Sequence, residues 1–128
     1  MPTNSYTPVL IAIAGLLGAA GVALAAAAAH VAAGDPVRAA AEIAMVHAAA
    51  VIGIVAYAFH SRSGAVWRWI AAAMLSGAAL FSTTVGLGAL IDFRPLPMLA
   101  PIGGSLTVIA WTAVAIAGFI EAMRPGTR

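Results

Sequence analysis

Few residues of this chain could do chemistry, and they fall into two groups. The first gathers around one turn and a later loop: His30, Asp35, Arg38 and Glu42, with Asp92 and Arg94. Arg38 and Glu42 stand at i, i+4 and share a helix face, so they can pair. His30 reaches a depth similar to that of Glu42 and offers a second pairing. Such a set is either a solvated rim that anchors the loops or an entry site for a proton or ligand. The second group lies deeper. His47 is about 14 Å along its segment at ~1.5 Å per helical residue. Ser76 and Thr83 are seven residues apart, and Ser105 and Thr112 repeat that spacing. These five residues are expected to form a polar seam in which a hydroxyl satisfies the imidazole. A proton relay is the sharper reading of the same residues.

Neither group spells a reaction. No Ser-His-Asp set, HExxH, P-loop or GxGxxG occurs. With no cysteine, thiolate metal sites and a cysteine nucleophile are excluded. No residue is assigned a catalytic role, no metal site is expected, and the chain is read as a non-enzyme. Haem is tested separately, because a helical bundle binds it through two axial ligands at similar depth. His30, His47 and His60 lie at three depths, which argues against a bis-histidine site. A His/Met pair stays open through Met45, Met74 or Met98, but no cofactor is expected.

The elements that position these residues are apolar. The chain is 63% hydrophobic and 8% charged, with mean hydropathy +1.05. Soluble domains carry about 25% charged residues, so this surface suits a bilayer rather than water. At ~20 residues per span, four spans use up the chain. The expected fold class is all-α: a polytopic integral membrane protein with four transmembrane helices in two antiparallel hairpins. Residues 1–128 form one domain, with spans at about 9–33, 37–59, 67–91 and 98–123. The first span is read as an uncleaved helix. No Arg or Lys precedes it, and it is longer than a signal-peptide core.

Gly34-Asp35-Pro36 marks a stop and restart between the first two spans. Gly15, Gly18, Gly21, Gly77, Gly103 and Gly104 are read as helix-packing positions, where small residues let backbones approach in lipid. Trp67, Arg68 and Trp69 read as an interfacial anchor. The six basic residues are all Arg and scattered singly, so no nucleic-acid surface is expected. Arg62, Arg68, Arg124 and Arg128 fall on the side of the termini, against Arg38 and Arg94 on the other. The positive-inside rule then places both termini in the cytoplasm.

Several of these residues carry a family resemblance. They are the glycine-spaced first span ending at Ala29-His30, His47-Ala48-Ala49, and Leu75-Ser76-Gly77. Pro101-Ile102-Gly103-Gly104, followed seven residues later by Trp111, completes the set. The chain resembles the small bacterial inner-membrane proteins catalogued as domain of unknown function 423, relatives of eukaryotic transmembrane protein 256. It departs from that pattern at Ile43-Ala44-Met45-Val46, at Leu75 and at Ala78, where the family shows more polar or aromatic residues, and in a longer Asp92–Leu99 loop. The resemblance implies a multi-pass protein of the bacterial inner membrane and no activity. The expected role is an accessory or assembly subunit packed against a larger membrane complex. Alternatives are a small homo-oligomeric transporter or channel using His30, Glu42 and His47, and a haem or redox protein.

Overall fold

A computed structural model describes residues 6–30, 34–94 and 96–124. The described residues form four helices: α1 Tyr6–Ala28, α2 Gly34–Ala58, α3 Gly64–Ile91 and α4 Leu99–Ala122. All four are long and apolar enough to cross a membrane. A helix is the natural state for such segments, because lipid offers no partner to an unsatisfied backbone N–H or C=O. Each helix overlaps one of the four expected segments, with different ends. The largest shift is in α1, which stops at Ala28 rather than near 33. There the chain turns through i→i−3 bonds, from Ala29 N–H to Ala26 and from His30 N–H to Ala27. Helix α2 begins at Gly34 with Pro36 in its first turn, where the missing N–H costs nothing.

Helix α3 ends on Asp92, which adopts φ 52° in the left-handed region. The N–H groups of Asp92 and Phe93 return to the Leu87 carbonyl, satisfying a group that the helix end would otherwise leave open. A short polar side chain tolerates this conformation better than most.

Helices α2 and α3 form the centre. Helix α1 packs along α2 and touches α3, while α4 packs along α3. The two hairpins therefore meet along the α2–α3 seam. Among the described residues, no Cα of α4 comes within 8 Å of a Cα of α2 or α1. The core is rich in alanine and is filled by Val51, Val55, Met74 and Leu75, with Met74 fully buried.

Small residues set the closest approaches. A methyl at Gly77 would lie 2.9 Å from the Gly103 carbonyl oxygen, and one at Gly103 would lie 2.6 Å from the Phe81 nitrogen. The α3 and α4 backbones therefore touch at this pair, as the packing reading of Gly77 and Gly103 expected. Gly21 meets Ala41, Ala44 and Met45 of α2 in the same way. Gly18 and Gly104 face Ala48 and Phe81 at ordinary contact distance. Gly15 is the exception, since nothing lies within 4 Å of a methyl built there. It sits on the outward face of α1, because a three-residue glycine spacing drifts around the helix rather than following one stripe.

Candidate functional site

The polar chemistry of the described residues concentrates between α2 and α4. Helix α2 centres near residue 46, so His47 sits halfway along the span. Its side chain is 5% exposed. Nδ1 is 2.7 Å from the Ile43 carbonyl oxygen, one turn back on the same helix. A carbonyl only accepts, so Nδ1 carries the proton and Nε2 presents its lone pair. Into that lone pair Trp111 donates its indole N–H, at 3.1 Å. The rings meet edge-on, 6.1 Å between centroids and 66° between planes. Both ring nitrogens are thereby engaged.

A second cluster lies ten residues further along both helices, at the end shared by the α2–α3 loop and the end of α4. Glu121 is its hub. Its Oε2 accepts the Tyr57 hydroxyl at 2.6 Å, and its Oε1 accepts Ser61 Oγ and, at 3.0 Å, the Trp67 indole N–H. Tyr57 and Trp67 stack edge to face at 4.9 Å and 79°. Arg124 donates to Ser63 Oγ at 2.7 Å and ties the end of α4 to the same loop. A carboxylate in the last turn of a helix opposes the helix dipole. Three donors from α2, the loop and α3 compensate, and hydrogen bonds to a charged acceptor are the stronger kind. Serine and tyrosine hydroxyls and an indole N–H can each donate once here, which accounts for this set around one carboxylate.

The expected polar seam is not what assembles around His47. Its partner is an indole rather than a hydroxyl. Ser76 donates to Ala72 and Thr112 to Val108, each one turn back on its own helix, and both residues are exposed. Thr83 and Ser105 are exposed as well. A hydroxyl that bonds its own helix is satisfied in lipid and need not face the bundle. Among the described residues, the buried hydroxyls are Thr7, Ser82 and Thr107.

The rim residues also stay apart. His30, Asp35, Arg38 and Glu42 are exposed, and no ion pair joins Glu42 to Arg38 or His30 among the described residues. Asp92 and Arg94 do approach, at 3.5 Å, with both side chains largely in solvent. Glu42 and His47 are five residues apart and point to different sides of α2, so the three-residue transport site His30, Glu42 and His47 is not brought together. Trp67 is 5% exposed and belongs to the core, with its N–H donated to half-buried Glu121 at the end of the bundle. Trp69, by contrast, is 77% exposed, and Arg68 is half-buried beside it. Glu121 was absent from the expected site. Its signal was available: an acid near the end of an apolar span is a functional or structural residue by default.

Four helices, each long and apolar enough to cross a membrane, define a small multi-pass membrane protein whose outer faces contact the bilayer. The family model described as protein of unknown function (DUF423) matches residues 17–104, and the chain belongs to that family. The match takes in His47 and the Gly77–Gly103 contact and ends before Trp111 and Glu121. No curated protein and no solved structure matches the chain.

Proposed function

We propose that this is a non-catalytic protein of the bacterial inner membrane that works by packing, as an accessory or assembly subunit of a larger membrane complex. The observation that carries this reading is the chemistry of the interior. Its buried polar residues among those described are Thr7, His47, Ser82 and Thr107, with no Asp, Glu, Lys or Arg among them. A conduction or transport path ordinarily needs ionisable groups facing a water-filled cavity, and the one titratable residue of this set, His47, has both ring nitrogens engaged by Ile43 and Trp111. Helices α1 and α4 supply the docking faces in this reading, since only a few positions of each are buried in the bundle. Both termini lie in the cytoplasm, on the side that carries Arg62, Arg68 and Arg124.

The test is native mass spectrometry of the protein extracted from its own membrane in mild detergent. A larger polypeptide retained in defined stoichiometry is the expected result. A bare monomer or a clean homo-oligomer overturns the reading. Reporter fusions to each terminus and to the Asp92–Leu99 loop check the orientation.

A further inference from the structure

Between its two polar clusters, the α2–α4 interface is open. The wall is formed by Ala50, Gly53 and Ile54 of α2 and by Val114 and Gly118 of α4, and the space between measures ≈ 340 Å³. Trp111 closes it at mid-span, while Tyr57 and Trp67 flank the other end. A methyl built on Gly53 or on Gly118 meets nothing within 4 Å. The helices are held apart rather than together, because long side chains span the gap at both ends.

Two features say what fits there. The first is length. From the His47 level to the Tyr57 level is ten residues, or about 15 Å of helix, which is half of a hydrocarbon core of ~30 Å. The groove thus runs from the headgroup level to the bilayer centre, the depth of one leaflet. The second is the mouth. A further concavity of ≈ 320 Å³ shares Tyr57 and Gly118 with the groove and is lined by His60, Arg62, Glu121 and Arg124. Two guanidinium groups face one carboxylate there, and that carboxylate already accepts three hydrogen bonds. Arg124 uses one donor on Ser63, and a guanidinium has five.

We propose that the α2–α4 groove is a binding site for one anionic phospholipid, with an acyl chain between Gly53 and Gly118 and the headgroup phosphate at Arg62 and Arg124. A chain of one leaflet's length fills a slot whose small-residue walls leave room for it, and the guanidinium groups hold the phosphate at the level where headgroups lie. This site does not depend on a protein partner and stands or falls separately from the accessory role.

The experiment titrates the delipidated full-length protein in detergent with phosphatidylglycerol or phosphatidylcholine and counts bound lipid by native mass spectrometry. One phosphatidylglycerol is expected to bind in preference to phosphatidylcholine. Gly118→Leu and Gly53→Leu fill the groove and are expected to weaken retention about tenfold or more, with Arg124→Gln reducing the headgroup preference. Gly15→Leu, equally unhindered but on the outward face of α1, is the control and keeps the lipid. Equal binding of the two lipids by the unmodified protein overturns the proposal, even if both filled variants fail to fold. So does undiminished binding in the filled variants, or equal loss in Gly15→Leu.

Discussion

Trp111 gives its indole N–H to His47 Nε2 at 3.1 Å across a gap that no Cα pair of the two helices closes to 8 Å. The residues are 64 apart in the chain, as are Tyr57 and Glu121. Helices α2 and α4 run parallel, so both pairs lie at matching heights. They act as two rungs of unequal chemistry: a ring pair at mid-span and a carboxylate hub at the rim.

The mid-span rung is testable as a coupling. Trp111→Phe leaves the buried Nε2 of His47 without a donor, and a destabilisation of about 1–2 kcal/mol is expected. His47→Ala removes the α2 partner of the contact. In a double-mutant cycle read by reversible unfolding in detergent, the pair should couple by about 0.6–2 kcal/mol. Strict additivity of the two substitutions would show that the hydrogen bond contributes nothing.

The rim rung should rank by the number of donors left unpaired. Glu121→Ala strands Tyr57, Ser61 and Trp67 together and is expected to lower the melting temperature most. Glu121→Gln keeps an acceptor oxygen and should be intermediate, while Tyr57→Phe removes one donor and should be mildest. Melting curves in one detergent settle the order, and a Glu121→Ala protein as stable as Tyr57→Phe would refute the hub.

The α3–α4 backbone contact makes an opposite pair of glycine predictions. Gly103→Ala drives a methyl to 2.6 Å from the Phe81 nitrogen, and forcing backbone apart costs about 1–3 kcal/mol. Gly15→Ala meets nothing and gains helix propensity, so it is expected to be neutral or stabilising by up to ~1 kcal/mol. The two variants compared by thermal unfolding check both signs at once.

Met74 measures the core. It is fully buried in the core, so Met74→Ala leaves a cavity and is expected to cost about 2–5 kcal/mol. A cost below that range would mean that the alanine-rich surroundings collapse onto the vacancy.

The helices were legible because their signal is thermodynamic. Long apolar runs broken at Gly34-Asp35-Pro36, at Ser61–Gly64 and after Asp92 leave the backbone one solution in lipid. The depth of His47 and the packing of Gly77 and Gly103 followed from the same reasoning. The partners did not. Seven-residue spacing correctly puts Ser76 with Thr83 on one face, yet it does not say which face turns inward, and a hydroxyl that bonds its own helix is content on either. Trp67 and Trp69 carry identical side chains two residues apart, and only tertiary packing sends one into the core and leaves the other outside. The Glu121 hub needed three elements brought together before its donors could be recognised.

The two rungs also bear on how this chain can change in length. One residue inserted between His47 and Tyr57 would turn everything beyond it by about 100° and shift it by ~1.5 Å, so one rung or the other must break. The same holds between Trp111 and Glu121. An insertion in the Asp92–Leu99 connection moves neither rung relative to the other and only lengthens the tether. Tolerance of insertions and deletions should therefore be near zero in those two ten-residue intervals unless both change together, and high in the connection between α3 and α4.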